Sequence, residues 1–282
     1  MEPKVALQIH HHYFCDEMIR LAAGCGFRYA ALNLGESRCF FGDGWRDEIR
    51  RLDSLLKQNG LNCVMIHSPC YDLRISAEET DPDMERAIFR SVEGASMLGA
   101  EIAAVHPRVA FRDGVEDVER SYAYNARYFA PLVREAERLG CLIGIENMPT
   151  FPGWDMTFYT NRPSEHRRIV DCFGSAAVCA VWDFGHAALA NDDPVSALKT
   201  LGTRSKGTHV HDTRGQNDDH LTPLLGTIDW ESEMKALAQT GFDGYLTMEL
   251  HYDDICRDAD RIRDFTLTAC RNICRLYDML KS

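Results

Sequence analysis

The sequence predicts an α/β fold, a single (β/α)8 TIM barrel that spans residues 1–282 as one domain. The chain has 282 residues, and a barrel of this type needs about 250 residues. One unit recurs along the chain: a helical stretch ends at a glycine, a short apolar strand follows, and a polar residue closes the strand. A doubly wound open sheet has the same alternation, but no glycine-rich phosphate loop follows the first strand here.

Eight predicted strands are mostly continuous apolar runs, which is typical of parallel strands covered on both faces. They are Val5–Ile9, Tyr29–Leu34, Leu61–Ile66, Glu101–Val105, Cys141–Ile145, Ala177–Trp182, a short strand around Thr208–Val210, and Tyr245–Met248. The predicted helical stretches are Leu21–Gly26, Trp45–Asn59, Met84–Leu98, Ala123–Leu139, Arg162–Phe173, Pro194–Leu201, Trp230–Thr240 and Ala259–Leu280. Most are followed by glycine, which tolerates the left-handed conformation that ends a helix.

Charge and cysteine usage restrict the functional classes. The formal net charge is -12, with 31 basic against 43 acidic side chains, so a generic nucleic-acid partner is not expected. Eleven cysteines without a CxxC pair, most of them in apolar segments, predict buried thiols in a reducing compartment. We find neither an apolar signal core nor a run of roughly 20 apolar residues, and therefore expect a cytoplasmic protein without a membrane span.

Residues that bind metals stand at six predicted strand ends. Because the carboxyl ends of the strands meet at one mouth of such a barrel, these side chains are expected to converge there. They are His67, His106, Glu146, Asp183, His209 and Glu249. Additional candidates are His186, three residues beyond Asp183, and Asp218 and His220 in the loop after the His209 strand.

Taken singly, each of these residues has an ordinary structural explanation as a hydrogen-bonded histidine or a helix N-cap. Taken together, they place several carboxylates in one small volume, where they would repel each other. A bound cation would neutralise Glu146, Asp183 and Glu249 at once. The mixture of carboxylate and imidazole predicts a divalent Mn, Zn, Co or Fe ion, with Mg also admissible and Ca disfavoured.

Several motifs resemble the xylose isomerase-like barrel superfamily, in particular its sugar-phosphate isomerase/epimerase group, which includes relatives of D-tagatose 3-epimerase and inosose dehydratase. The motifs are Ile145–Met148, Trp182–His186, His209–Asp212, Asp219–Leu221 and Gly226–Trp230. The resemblance implies one metal held by Glu146, Asp183, His209 and Glu249, with His186 in contact with substrate. A second glutamate, expected shortly after Glu146 in the epimerase-like members, is replaced here by Pro152 or its neighbours.

Endonuclease IV shares this barrel and holds three zinc ions with nine ligands. Matching residue types exist here for all nine, namely His67, His106, Glu146, Asp183, His186, His209, Asp218, His220 and Glu249. Ligand types alone therefore do not separate the two branches. The surroundings of Asp183 and the stretch Gly226–Trp230 are more similar to the sugar branch.

The expected function is a metal-dependent isomerase or epimerase acting on a ketose, ketose phosphate or related polyol ketone. Glu146 and Glu249 would remove and return a carbon-bound proton through an enediolate. The expected substrate contacts are His186, His67, His106 and Arg214. Dehydration of a keto-inositol would use the same proton abstraction. The alternatives are a trinuclear zinc phosphodiesterase like endonuclease IV and a non-catalytic sugar-binding barrel, and self-association into a homo-oligomer stays open.

Overall fold

A computed structural model of the protein describes residues 2–11, 15–35, 37–151, 157–190, 193–251 and 258–282. The strands are β1 Val5–His10, β2 Tyr29–Asn33, β3 Asn62–His67, β4 Ile102–Val105, β5 Phe111–Arg112, β6 Val115–Glu116, β7 Leu142–Glu146, β8 Val178–Asp183, β9 Ser205–His209 and β10 Leu246–Met248. The α-helices are α1 Cys15–Gly24, α2 Trp45–Gln58, α3 Pro82–Leu98, α4 Val118–Leu139, α5 Pro163–Asp171, α6 Phe184–Leu189, α7 Pro194–Leu201, α8 Trp230–Gln239 and α9 Ala259–Lys281.

Eight parallel strands form the barrel in the order β10-β1-β2-β3-β4-β7-β8-β9. The ring closes where β9 meets β10 through a parallel bridge between Val210 and Met248. There the Val210 amide donates to the Thr247 carbonyl oxygen at 2.8 Å, and the Glu249 amide donates to the Val210 carbonyl oxygen at 3.2 Å. The predicted single (β/α)8 TIM barrel is confirmed.

Two apolar layers hold the barrel together. The inner layer fills the barrel with small and medium side chains, which are Ala6, Ala31, Val64, Met65, Ile102, Ala104, Cys179 and Val181. The outer layer packs the opposite faces of the strands against the helices, as at Ile49 and Leu52 of α2 and Ile273 and Leu276 of α9. Among the described helices, none is long and apolar enough to cross a membrane.

Several predicted boundaries are wrong. The strand predicted around Thr208–Val210 is β9, which begins earlier, at Ser205. Its sequence, Ser-Lys-Gly-Thr-His, is mostly polar and therefore does not show the apolar run expected of a buried strand. A Cβ on Gly207 would lie 2.8 Å from the Met65 side chain and 2.9 Å from that of Ile102, so the inner layer has no room for an apolar residue there. Helices α1 and α4 begin earlier than predicted, at Cys15 and Val118.

Other elements were not foreseen. The short helix α6 follows β8 directly, and β5 and β6 form a two-stranded antiparallel ribbon. The prediction that the cysteines are buried is confirmed for only four of the ten described, Cys15, Cys63, Cys141 and Cys179. Cys172 is exposed. The other described cysteines are partly exposed because their helices and loops lie at the outer surface of the barrel rather than in the strands.

Gly144 tests the packing of the inner layer. A Cβ there would overlap the side chains of Val181 and Ile102, both of which are buried. We expect Gly144→Ala to lower the free energy of unfolding by about 1–3 kcal/mol, the usual cost of overpacking. The measurement is urea unfolding followed by circular dichroism.

The matched control for this change is Gly24→Ala at the exposed end of α1. No described atom lies within 4 Å of a Cβ built there. Relief of glycine's conformational entropy should leave this variant unchanged or stabilised by about 0.5–1 kcal/mol. Equal stability of the two variants would show that the inner layer is less tightly packed than described.

Candidate metal centre

The six predicted ligand residues lie side by side at the mouth, on the neighbouring strands β3, β4, β7, β8, β9 and β10. Four of them are the last residues of their strands, namely His67, Glu146, Asp183 and His209, whereas His106 and Glu249 each follow their strand by one residue. Five of the six are buried and His106 is partly exposed. The barrel therefore brings all six into one small volume.

The first group of candidate ligands consists of Glu146, Asp183, His209 and Glu249. One ligand atom from each lies within 4.8 Å of the others, and all four residues are buried. Glu146 Oε1 and Glu249 Oε2 lie 3.0 Å and 3.1 Å from the same ring nitrogen, His209 Nδ1. Glu146 Oε2 is buried and has no hydrogen-bond partner among the described residues. Three buried carboxylates around one imidazole fit a divalent cation, because a cation supplies the charge that this pocket lacks.

The second group consists of His67, His106 and Glu146. The Nε2 atoms of the two histidines face each other at 3.0 Å. Two ring nitrogens at this distance need a proton or a cation between them, since two lone pairs repel. Glu146 Oε2 lies 3.3 Å from His106 Nε2, so Glu146 belongs to both groups.

The third group consists of His186, His211, Asp218 and His220, next to Asp183. Asp218 Oδ2 is 3.3 Å from His186 Nε2 and 3.1 Å from His220 Nε2. His211 Nε2 lies 3.0 Å from Asp183 Oδ2 and so joins this group to the first. His211 was named in a motif but missed as a candidate ligand; its position two residues after His209, on the same face of an extended chain, was the available signal.

Three of these histidines are oriented in the same way by backbone carbonyl oxygens. The Nδ1 atoms of His67, His186 and His220 lie 2.9, 2.8 and 3.2 Å from the carbonyl oxygens of Ser68, Asn147 and Glu249. Because a carbonyl oxygen only accepts, each Nδ1 must carry the proton, which leaves the Nε2 lone pair directed at the centre. Such outer contacts are typical of histidines that bind metals.

The electrostatics describe the centre without a cation. Burial opposes ionisation of Glu146, but the adjacent His209 and His106 rings hold its pKa well below the usual range. Burial likewise opposes charge on His209 and His220, yet the neighbouring carboxylates raise the pKa of each to about 9. By contrast, burial and then His106 lower the pKa of His67 to about 4. Ring protons therefore compensate the carboxylates where a metal would otherwise do so.

The motif residues between the ligands build the site. Asn147 joins β7 to β8, since its side chain donates to the Asp183 carbonyl oxygen at 2.9 Å and accepts from the Asp183 amide at 2.7 Å. Gly185 lies against the His211 ring, and any side chain there would overlap it. Asp183 also caps α6 by accepting from the His186 amide at 2.6 Å. These contacts explain why glycine and histidine follow Asp183 so closely.

Asp212 organises the loop that carries Asp218 and His220. Its buried carboxylate accepts four hydrogen bonds, from the amides of Thr213, Leu224 and Ile228 and from the Trp230 indole at 2.8 Å. Gly226 passes directly against this carboxylate, and a Cβ there would overlap it. The motif from residue 226 to residue 230 thus folds the loop over the mouth.

Of the remaining predicted residues, Arg214 lies at the edge of the site. The side chain of Arg214 is 68% exposed and lies 3.7 Å from Asp219, outside the buried groups. Pro152 lies outside the described residues.

Gln8, which was not predicted, donates from Nε2 to Glu249 Oε1 at 2.6 Å. His251 stacks on His220 with ring centroids 4.0 Å apart. No sequence pattern marked Gln8, because it is a polar residue inside an apolar strand.

Comparisons with known proteins bear on the same fold. The family described as Xylose isomerase-like TIM barrel matches residues 19–266. Uncharacterized protein MJ1311 of Methanocaldococcus jannaschii is 28% identical over 190 residues, covering 66% of this chain and 64% of that protein. An inosose dehydratase of Clostridium perfringens is 21% identical over 191 residues, covering 61% of this chain and 64% of that protein. The chain thus matches slightly less than two thirds of the length of each relative.

A solved structure extends the likeness over nearly the whole chain. The crystal structure of D-psicose 3-epimerase in the presence of D-fructose superposes with a TM-score of 0.74. The match covers 98% of this chain and 99% of that chain at 15% sequence identity. At this identity, the comparison shows a shared fold.

The raised pKa of His209 and His220 predicts how the stability of the metal-free protein depends on pH. A folded-state pKa of about 9 against 6.5 stabilises the fold below about pH 6.5, and this contribution is lost as the pH rises through 9. The thermal midpoint of the chelator-treated protein should therefore fall between about pH 6.5 and about pH 9.5.

Protein saturated with Zn²⁺ is the control for this measurement. Metal-bound imidazoles are neutral at both pH values, so the midpoint should not show the same fall. The comparison also subtracts groups outside the site, such as Glu233, whose pKa burial raises to about 8. A metal-free midpoint that stays level or rises over this range would contradict the charge compensation described.

Proposed function

We propose that this chain, which belongs to the xylose isomerase-like TIM barrel family, is a metal-dependent sugar isomerase or epimerase. The resemblance predicted from the motifs is confirmed at the level of the family. The substrate class is a ketose, a ketose phosphate or a related polyol ketone. The observation that carries the proposal is the buried group of Glu146, Asp183, His209 and Glu249, with two glutamates on one imidazole.

A divalent ion held by these four residues would polarise a substrate carbonyl and make the adjacent C–H more acidic. The residues fit such an ion, because Glu146 Oε2 is buried without a hydrogen-bond partner among the described residues. The donor set of three carboxylates and one imidazole favours Mn, Zn, Co or Fe, with Mg also admissible.

The two glutamates would act as the acid/base pair, and their contacts differ. Glu249 Oε1 accepts a hydrogen bond from Gln8 at 2.6 Å, which favours the ionised carboxylate and makes this oxygen a weaker base. Glu146 Oε2 accepts no amide hydrogen bond from the described residues, and its near neighbour is the ring nitrogen His106 Nε2, at 3.3 Å. We therefore assign removal of the carbon-bound proton to Glu146 and its return on the opposite face to Glu249.

Other residues would bind the substrate. His186, held by the Asn147 carbonyl oxygen, would orient a substrate hydroxyl, and His67 and His106 would contact the substrate on the other side of Glu146. Arg214, exposed at the rim, would hold a distal hydroxyl or phosphate. Dehydration of a keto-inositol would begin with the same proton removal, and an inosose dehydratase is among the relatives.

Hydrolysis of a phosphoester at a multinuclear centre is the second candidate. It is favoured by the two further ligand groups, because His67 and His106 share Glu146 with the first group while Asp218 lies between His186 and His220. The net charge of -12 opposes a nucleic-acid substrate, since binding to phosphates draws on basic side chains.

The number of bound metals separates the two candidates. For the isomerase or epimerase, we expect about one tightly bound transition metal per chain by elemental analysis, unchanged in Asp218→Asn. Three zinc ions per chain, reduced by Asp218→Asn, would favour the hydrolase. In that case an abasic DNA duplex should also bind in the nanomolar range at physiological salt in a gel shift, whereas the isomerase predicts weak binding.

Glu146→Gln and Glu249→Gln test the acid/base pair. Glutamine keeps one oxygen for the metal but cannot exchange a proton, so each variant should retain metal and lose at least about 10²-fold in turnover. In heavy water, Glu249→Gln should still exchange the acidic C–H, followed by NMR on a panel of ketohexoses, ketose phosphates and inosose. Glu146→Gln should not exchange it.

The matched control is Glu231→Gln on the exposed surface of α8, which should keep wild-type turnover. If both active-site variants turn over substrate at wild-type rates with full metal content, the two-carboxylate mechanism is wrong.

A further inference from the structure

An apolar pocket opens beside the metal centre. It has a volume of about 340 Å³ and is lined by residues of the loop after β3, by two phenylalanines after β7, and by His106. His106 also belongs to the second ligand group, so the pocket and this group share a residue. Resting on the proposed function, we propose that this pocket binds an uncharged apolar substituent of the substrate, such as the aryl or branched alkyl aglycone of a glycoside whose ketone is on another ring carbon.

The walls of the pocket are largely aromatic. Phe158 is fully buried, and Phe151 meets it edge to face with ring centroids 6.3 Å apart. Tyr71 is 8% exposed, and the Arg108 guanidinium covers its ring at 3.5 Å from the centroid. Leu73 completes the apolar lining. Aromatic and aliphatic walls favour apolar ligands, because an apolar group gains by leaving water for such a lining.

The phenol that lines the pocket already has polar partners. The Tyr71 hydroxyl lies 3.1 Å from the Asp81 carbonyl oxygen and 3.0 Å from the Glu85 carboxylate, which share its one proton as acceptors. It also accepts from the Asp81 amide at 2.9 Å. A substrate hydroxyl in the pocket would therefore gain little from this phenol, and a sugar ring would lose its hydration there without full replacement.

The charges around the pocket are compensated as well. At the exposed rim, Arg74 binds the Asp72 carboxylate through Nε and Nη2. Arg108 lies behind the Tyr71 ring and donates through Nη2 to the carbonyl oxygens of Ser76 and Glu79. Among the described lining residues, the paired Arg74 is thus the only arginine or lysine. A phosphate in the pocket would remain without a cation of its own, whereas an apolar group needs none.

The first experiment uses metal-loaded protein and two hydroxamic acids that present the same chelating oxygens. Benzohydroxamic acid should bind at least about tenfold more tightly than acetohydroxamic acid in isothermal titration calorimetry, because its ring enters the pocket. Moving a carboxylate to the far side of that ring, in 4-carboxybenzohydroxamic acid, should abolish the gain. Equal affinities for the first two probes, or a gain from the carboxylate, would overturn the proposal.

Two variants assign the preference to the pocket. Leu73→Gln places a polar group in the wall and should bring benzohydroxamic acid close to acetohydroxamic acid. Phe151→Asn should do the same and serves if the first variant is unstable. The matched control Leu225→Gln changes a leucine that is 62% exposed in the loop over the mouth, and it should keep the full preference. A preference that survives both wall variants would refute the assignment.

A second experiment does not depend on metal or catalysis. Phenyl β-D-glucopyranoside is added to chelator-treated protein, and saturation-transfer NMR records which ligand protons contact the protein. The aryl protons should receive the strongest saturation, and Leu73→Gln should reduce it. Weak aryl saturation in the wild-type protein would overturn the proposal. Failure of the proposed function would look different, with neither hydroxamic acid bound and the aryl signal intact.

Discussion

Uncompensated negative charge at the mouth of the barrel is the constraint on which the site depends. Closure between β9 and β10 gathers Glu146, Asp183 and Glu249 around His209, and all four are buried. Burying carboxylates is costly unless a cation or protonated partner accompanies them. The network around them serves this requirement: backbone carbonyl oxygens orient the histidines, and Asp212 holds the loop that brings further ligands. A bound cation would replace the ring protons that otherwise hold the centre together.

Much of the barrel is predictable from the sequence, because buried parallel strands such as β3 and β7 are apolar runs that end at a polar residue. The position of a residue at a strand end also places it at the mouth, and the six candidate ligands were found in this way. The start of strand β9 escapes this reasoning, because tight packing around Gly207 demands a small residue where a large apolar one is expected. Gln8 and His211 escape it too, because their roles arise from contacts with residues that are far away in the sequence.

The mouth combines two chemically different surfaces. On one side lie carboxylates and imidazoles suited to a metal and to proton transfer, and on the other lies an aromatic pocket whose charged neighbours are paired. His106 stands between them, so one substrate would present a polar, chelating part to the centre and an apolar part to the pocket. Binding of the apolar part in the pocket would then help to position the reacting carbon at the centre. Such use of binding energy from a remote group is a common source of selectivity. The fold itself is held by the inner and outer apolar layers, and the chemistry at the mouth draws little on them.

Anomalous diffraction from crystals of the metal-loaded protein, recorded at the absorption edge of the metal found by elemental analysis, tests the metal centre most directly. A metal centre requires an anomalous peak about 2.0–2.3 Å from oxygens of Glu146 and Glu249 and from a ring nitrogen of His209. If loaded crystals show no peak there and the carboxylates still rest on protonated imidazole, the cluster is a hydrogen-bonded structural network and the proposed metal chemistry is wrong.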